Sequence, residues 1–273
     1  MLDAIDRALR EDLGAGDLTT RVVVPDGAQA RARIEQKAPG VPFGLRVAEK
    51  VFGRVDPELR WHAHAEEDRW REGGMLAEVA GRAASILAAE RVALNFLGRL
   101  AGVATLTARH VQAVEGTRAR ILDTRKTTPG LRALEKEAVR AGGGVSHRAG
   151  LFDAILVKEN HAMLAGGVGE AARRALAAAP AGVTVEVECA TLDEVAEALD
   201  AGVPWLLLDN MAPAELRRAV ELAGGRAELE ASGGITLETI RAVASTGVDY
   251  VSVGALTHSA PALDVSLLLE PLA

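Results

Sequence analysis

Val183-Thr-Val-Glu-Val-Glu-Cys-Ala-Thr-Leu-Asp-Glu-Val-Ala-Glu-Ala-Leu-Asp-Ala-Gly-Val-Pro-Trp-Leu-Leu-Leu-Asp209 reads as a strand, a helix and a second strand. Its two ends are short apolar runs, rich in β-branched residues at the first, and Leu192–Ala201 between them has helical spacing. The unit recurs on both sides. Candidate strands are Arg120–Thr124, Ala154–Lys158, Val183–Glu188, Pro204–Asp209, Glu228–Ser232 and Asp249–Gly254. Candidate helices are Pro129–Arg140, Gly167–Ala178, Leu192–Ala201, Pro213–Ala223 and Leu237–Thr246. Strands alternating with helices imply βαβ crossovers and a parallel sheet. Six units fall short of the eight strands and roughly 250 residues of a full (β/α)₈ barrel. The expected fold class is therefore α/β, with a reduced, open (β/α) barrel of about six or seven strands over residues 104–260.

Residues 1–103 read differently. Leu2, Ile5, Leu9 and Leu13 fall at helical spacing, and Gly14-Ala-Gly16 ends that helix. From Ala30 to Ala80 the segments are short and rich in turn residues, and stretches such as Ala30-Arg-Ala-Arg-Ile34 alternate as antiparallel strands do. Ser85 is a candidate N-cap for a long helix carrying Leu87, Leu94, Leu97 and Ala101. An N-terminal α+β sandwich domain, residues 1–103, packed on the barrel is expected. The tail Asp264–Ala273 is too apolar to hang free, so residues 261–273 are expected to pack back on that domain.

The composition narrows the function classes. The 273 residues carry a formal net charge of −7, with 49% hydrophobic and 25% charged residues, ordinary for a globular chain. The isoelectric point is about 5.5, against a broad basic nucleic-acid footprint. No apolar run approaches a membrane span. The acidic start Met1-Leu-Asp-Ala-Ile-Asp-Arg7 lacks an apolar signal core, and Cys189 is the lone cysteine, so a cytoplasmic protein is expected.

Against that acidity stands a local concentration of cations. Asp123-Thr-Arg-Lys-Thr-Thr-Pro-Gly130, Gly142-Gly-Gly-Val-Ser-His-Arg148 and Lys158-Glu-Asn-His161 together hold two arginines, two lysines and two histidines. Such focusing points to a pocket for a small polyanion. Lysine occurs only at 37, 50, 126, 136 and 158, so Lys126 and Lys158 mark places where a compact ammonium is wanted over a guanidinium. Every candidate strand ends in a polar residue or glycine: Arg125 and Lys126, Lys158, Glu188, Asp209, Ser232-Gly-Gly234, Gly254-Ala255. In parallel α/β folds the carboxyl ends of strands open on one crevice. That crevice has cations from the early strands, carboxylates from the middle ones and glycine-rich turns suited to a phosphate from the last two.

Glu188 and Asp209 end apolar strands and need partners: salt bridges to Lys158 or Arg125, Mg²⁺ held with substrate oxygens, or both. Glu186 shares their side of the strand and competes for either role. His147 and Arg148 follow three glycines that allow close backbone approach, which favours a binding role over helix capping. His161 is expected to brace the loop of Lys158. His62, His64 and His110 sit in segments without a supporting motif and suit solvated or core-edge positions. Cys189 has no base partner in the sequence and is a poor candidate nucleophile.

These motifs resemble those of the quinolinate phosphoribosyltransferase family, also called nicotinate-nucleotide pyrophosphorylase (carboxylating), over nearly the whole chain. The resemblance rests on Glu11-Asp-Leu-Gly-Ala-Gly-Asp-Leu-Thr-Thr20, Ala89-Glu-Arg-Val-Ala-Leu-Asn-Phe-Leu97 and Asp123–Arg132. It continues through Gly142–Arg148, Lys158–His161, Glu186-Val-Glu188, Leu208-Asp-Asn-Met211, Ala231-Ser-Gly-Gly-Ile235 and Val253–Ser259. It implies transfer of phosphoribosyl from phosphoribosyl pyrophosphate to quinolinate with loss of CO₂, giving nicotinate mononucleotide and pyrophosphate in NAD biosynthesis. It also implies Mg²⁺ and an obligate homodimer with shared sites, further assembly into a hexamer of dimers being open.

Residue by residue, Arg91 matches the arginine that reaches the neighbouring subunit's site. Arg125, Lys126, His147, Arg148 and Lys158 match the residues that bind the quinolinate carboxylates and nearby phosphate oxygens, and Thr127 joins the substrate-binding set. Glu188 and Asp209 match the pair that meets the ribose hydroxyls and Mg²⁺; with Lys126 and Lys158 they form the expected catalytic set. Ser232, Gly233, Gly234, Gly254 and Ala255 match the 5′-phosphate site. The chain departs from the family pattern at Ser146, where Asn is usual, at Ala149, where a larger apolar residue stands, and near Glu137, where an aromatic is frequent; these bear on loop packing and affinity. The alternative is a molybdenum-transport-associated paralogue of the same fold, which loses the paired charges around Lys158–His161 that this chain keeps.

Overall fold

The computed structural model describes residues 1–272. Along the chain lie α1 (Leu2–Leu13), α2 (Leu18–Val23), β1 (Gln29–Gln36), α3 (Leu45–Val55), β2 (Arg60–Ala63), β3 (Gly74–Arg82) and α4 (Ala83–Ala113). Then come β4 (Arg120–Leu122), α5 (Arg132–Ala141), β5 (Ile155–Val157), α6 (Glu159–Ala165), α7 (Val168–Ala178), β6 (Val185–Cys189) and α8 (Leu192–Asp200). The chain closes with β7 (Trp205–Asp209), α9 (Pro213–Ala223), β8 (Glu228–Ser232), α10 (Ile240–Ala244), β9 (Tyr250–Ser252), α11 (Ala255–His258) and β10 (Val265–Pro271). Two compact units result, one of Met1–Ala108, Thr127–Gly143 and the segment from Leu256 on, the other of Arg109–Lys126 and Gly144–Ala255.

The first unit is built on an antiparallel sheet of order β10-β1-β3-β2. Along β1, Ala30, Ala32 and Ile34 are wholly buried while their neighbours face outward, the period-2 pattern of a sheet with one covered face. The apolar tail is its edge strand, with Ile34 opposite Leu267. Arg99 on α4 and Glu135 on α5 form the main buried ion pair, with Arg99 Nη2 2.7 Å from Glu135 Oε1. Thr127–Gly143, placed in the barrel range by sequence, groups with this unit.

The second unit is a six-stranded, all-parallel sheet of order β4-β9-β8-β7-β6-β5. Among the described residues β4 and β5 are not paired with each other, so the sheet is open, as the six-unit pattern predicts. Sequence order jumps from β4 to β9 and from there runs back strand by strand. Leu206, Leu207 and Leu208 are all buried, as a central parallel strand covered on both faces requires. On β6, Val185, Val187 and Cys189 share one buried face, and Glu186 and Glu188 the other.

Differences from the sequence reading have local causes. Ser85 is not an N-cap: α4 begins at Ala83, and the Ser85 hydroxyl donates to Asp56 Oδ2 at 2.7 Å. α3 lies where only short strands were expected, because the carboxylate that caps it comes from far along the chain. Glu67 Oε1 accepts the N–H groups of Gly44 and Leu45 at 2.7 and 2.6 Å. α5 starts at Arg132 instead of Pro129, since Gly130 takes a left-handed φ of 79° that ends the preceding turn.

Candidate active site

Strand geometry sets the site. Side chains two residues apart share a face, so Leu156 and Lys158, Leu207 and Asp209, and Glu230 and Ser232 project in pairs to one side of the parallel sheet. With Asp123, Thr124, Arg125, Lys126, His147, Arg148 and Ser252 they line a cavity of about 180 Å³. Seven of the residues expected from sequence thus meet there: Arg125, Lys126, His147, Arg148, Lys158, Asp209 and Ser232.

The others stand around it. Glu188 receives the Lys158 ammonium at 2.9 Å, one of the salt bridges expected of it. Gly233 and Gly234 follow Ser232 with φ of 100° and 60°. A Cβ on Gly233 would stand 2.1 Å from Asn210 Oδ1, so only glycine fits. Asn210 is itself left-handed (φ 55°), donates to Asp209 Oδ2 at 2.7 Å and bonds the Ser232 carbonyl through its backbone N–H at 2.9 Å. The ends of β7 and β8 are thereby stitched into one turn surface. Gly254 and Ala255 join β9 to α11. Thr127 belongs to the first unit, where its hydroxyl accepts from Arg132 Nε at 3.0 Å. Arg91 lies on the exposed surface of α4, also in the first unit.

The cationic loops are fixed by backbone pairing. Val145 N–H bonds Ile121 O at 2.8 Å, and Asp123 N–H bonds Val145 O at 3.2 Å, so Gly144–His147 runs beside β4 as a strand would. The wholly buried Asp123 carboxylate accepts the His147 N–H at 2.8 Å. Arg148 Nη1 donates to Ala154 O at 3.2 Å. Burial, and next the neighbouring Arg125 guanidinium, lower the Arg148 pKa, as expected where two like charges crowd together. His161 Nδ1 accepts the Lys158 N–H at 2.9 Å, the bracing expected of it.

Below this rim lies a buried acidic group. His147 Nε2 is 2.8 Å from Glu186 Oε2 and 3.5 Å from Glu230 Oε2, and both glutamates are almost wholly buried. Burial first, and the Glu186 carboxylate second, raise the Glu230 pKa to about 7, with His147 pulling the other way. Glu230, Asp123 and Ser252 were not picked out from sequence. The signal was available for Glu230, which stands two residues before Ser232 on an apolar strand, where a carboxylate needs a reason. Burial raises the Cys189 thiol pKa to about 12, which removes it as a nucleophile.

Chemically, the cavity offers planar and point cations for carboxylates, a pair of strand-end carboxylates for hydroxyls or a hard cation, and a tight glycine turn for a phosphate. Comparison with known proteins agrees. The family model "Quinolinate phosphoribosyl transferase, N-terminal domain" matches residues 17–101, and the corresponding C-terminal domain model matches 103–268. The chain is 44% identical over 273 residues to the nicotinate-nucleotide pyrophosphorylase [carboxylating] of Mycobacterium leprae, covering 97% of this chain and 95% of that protein. It is 42% identical over 258 residues to the probable nicotinate-nucleotide pyrophosphorylase [carboxylating] of Bacillus subtilis, covering 94% and 89%. The crystal structure of NadC from Streptococcus pyogenes superposes with a TM-score of 0.95 at 41% identity, covering 99% of this chain and 96% of that one. A Pyrococcus furiosus structure at 18% identity and TM-score 0.73 shares the fold. The chain belongs to the quinolinate phosphoribosyltransferase family.

Proposed function

We propose that this chain transfers phosphoribosyl from phosphoribosyl pyrophosphate to quinolinate with decarboxylation, yielding nicotinate mononucleotide, CO₂ and pyrophosphate in NAD biosynthesis. The observation that carries this reading is the cavity itself. Arg125, Lys126, Arg148 and Lys158 line the same 180 Å³ space as Asp209 and Ser232. Four cations exceed what a monocarboxylate needs and suit a planar dianion beside a polyphosphate.

Within that reading Arg125 and Arg148 grip the quinolinate carboxylates through their planar guanidinium groups, and Lys126 and Lys158 meet oxygens of either substrate as point charges. Asp209 and Glu188 accept from the ribose hydroxyls. Ser232, Gly233 and Gly234 receive the 5′-phosphate with Gly254 and Ala255. The pyridine nitrogen attacks the ribose carbon as pyrophosphate departs through an oxocarbenium-like state. The positive charge of the quaternised ring then stabilises the electron pair left on C2 when the 2-carboxylate leaves as CO₂, and C2 takes up a proton to give the product. No side-chain nucleophile is required, and rate comes from position and preorganised charge.

The residues fit Mg²⁺: Glu188 and Asp209 are hard oxygen donors on neighbouring strands, the one or two carboxylates this ion takes alongside phosphate oxygens. Bound there, it supplies positive charge for the leaving pyrophosphate. A cytoplasmic homodimer in which Arg91 completes the neighbouring subunit's site goes with this proposal.

The test is turnover of quinolinate with phosphoribosyl pyrophosphate and Mg²⁺, following nicotinate mononucleotide and CO₂ together, with nicotinate as a parallel substrate and a chelator arm. Equal amounts of both products from quinolinate alone, lost with chelator and restored by Mg²⁺, are expected. A folded protein inert with quinolinate refutes the reading.

A further inference from the structure

His147 lines the cavity with both of its ring nitrogens engaged by the protein. Its Nδ1 accepts the Arg148 backbone N–H at 2.7 Å, which places the ring proton of the neutral form on Nε2. That nitrogen faces Glu186 Oε2 at 2.8 Å and Glu230 Oε2 at 3.5 Å. Both ring nitrogens are thus spent inside the protein. The ring is hydrogen-bonded to Glu186 on β6, stands 3.5 Å from Glu230 on β8 and meets Trp205 on β7 in an edge-to-face arrangement with centroids 6.4 Å apart. The His147 N–H is tied in turn to Asp123 at the end of β4. His147 therefore joins four strands of the barrel, β4, β6, β7 and β8, to the backbone atom from which Arg148 departs.

A metal does not account for the cluster. The three ligand atoms lie within 4.8 Å of one another, yet 2.8 Å between nitrogen and oxygen is a hydrogen bond. Two ligands sharing a tetrahedral zinc ion stand roughly 3.3 Å apart. The charge pattern gives the carboxylates another role. Arg125 crowds Arg148, and Glu186 is the foremost charge working the other way on that guanidinium.

We infer that Glu186 and Glu230 are positioning residues for the dicarboxylate half of the site: they lock the His147 imidazole, and through it the backbone that aims Arg148 beside Arg125. The inference rests on the proposed quinolinate reaction. It assigns His147 to support, in place of the direct carboxylate contact that the family resemblance implies. The ribosyl half of the site, with Lys158–Glu188 and Asp209–Ser232, is built on other contacts and stays intact when the lock is broken.

The experiment is steady-state kinetics of Glu186→Gln, His147→Gln and the double variant, varying each substrate in turn. Loss of a charge-assisted hydrogen bond predicts that each single variant raises the quinolinate KM about 10- to 100-fold while the phosphoribosyl pyrophosphate KM stays within about twofold. Because the two residues act as one device, the double variant is no worse than the worse single one. Multiplicative effects, an unchanged quinolinate KM, or equal rises in both KM values overturn the inference. If Glu186→Gln does not fold, Glu186→Asp, which keeps the charge but withdraws the carboxylate from the ring, paired with His147→Gln gives the same comparison. Inert wild-type protein would refute the reaction itself; active wild type with unaltered variants refutes this inference alone.

Discussion

Glu135 offers the sharpest test of how the first unit is held together. It is fully buried, and its carboxylate accepts from Arg99 Nε at 3.0 Å, Arg99 Nη2 at 2.7 Å, the Thr128 N–H at 2.9 Å and the Thr128 hydroxyl at 2.6 Å. Arg99 also donates to the carbonyls of Ala260, at 3.1 Å, and Thr257. One carboxylate therefore gathers α4, α5 and the turn before α5. In Glu135→Gln an NH₂ group replaces one acceptor oxygen and must face a donor, with the Arg99 charge left uncompensated. Breaking a buried pair costs about 3–5 kcal/mol; Arg99 keeps a quarter of its side chain in solvent, which favours the lower end. With an unfolding entropy of about 2.1 cal/mol/K per residue, 3 kcal/mol is a Tm drop of about 5 °C if the whole chain unfolds together. The drop is larger if the first unit melts alone. Differential scanning calorimetry reads it directly. The double variant Arg99→Met with Glu135→Leu removes both charges and should recover most of the loss. A Glu135→Gln protein melting within about 1 °C of wild type would refute the argument.

Gly233→Ala forces a Cβ against Asn210 at a left-handed φ of 100°, so calorimetry should show phosphoribosyl pyrophosphate affinity falling at least tenfold with quinolinate affinity retained; equal loss of both would point to general misfolding. Glu230 binds its proton more tightly folded than unfolded, so the folded state carries the extra proton between about pH 4.5 and pH 7 and stability falls as pH rises through that window. At roughly 1.4 kcal/mol per pH unit the total is at most on the order of 3 kcal/mol. Glu230→Gln removes the slope, so its Tm should gain on wild type from pH 5 to pH 8, whereas parallel Tm–pH curves contradict the shift. If Arg91 acts on the partner subunit's site, mixing Arg91→Ala with Arg125→Ala chains should restore part of the activity through hybrid dimers, and subunit exchange without any activity would rule that out.

The barrel was legible because its strands and helices announce themselves locally. Val183–Glu188 and Pro204–Asp209 are apolar enough to be buried on both faces, and the helix between them has its own capping pair. Thr191 Oγ1 accepts from Glu194 N–H at 3.2 Å, and Glu194 Oε2 accepts from Thr191 N–H at 3.0 Å. The polar strand ends were legible for the same reason, since an ionisable residue closing an apolar run has few explanations. What escaped depended on distant partners. The cap of α3 comes from Glu67, and α5, which groups with the first unit, is tied there by the Arg99–Glu135 pair, 36 positions apart. Glu230 escaped because its neighbours Glu186 and His147 reach it from other strands, which no window of sequence displays.

The site also explains how an acidic chain keeps a cavity attractive to anions. Carboxylates stand in and around the lining, but these are engaged: Glu188 beside it by Lys158, Asp209 by Asn210, and Asp123 by the His147 backbone. Glu186 and Glu230 are pulled beneath the surface onto one imidazole. Arg125, Lys126 and Arg148 line the cavity beside them. Acidic residues thus set the positions of the cations without cancelling their field at the mouth. The choice of cation follows from that division. Under the proposed function, arginine stands where a planar carboxylate is to be gripped and the charge must survive burial, as at Arg148. Lysine stands at 158, where a slim point charge on a flexible stem reaches Glu188; in the proposed reaction it turns to a phosphate oxygen when substrate arrives. By this logic exchanging the two types, Lys158→Arg or Arg148→Lys, conserves charge and still damages function. A fork at 158 is held by Glu188 too firmly to turn, and an ammonium at 148 cannot span two carboxylate oxygens at once.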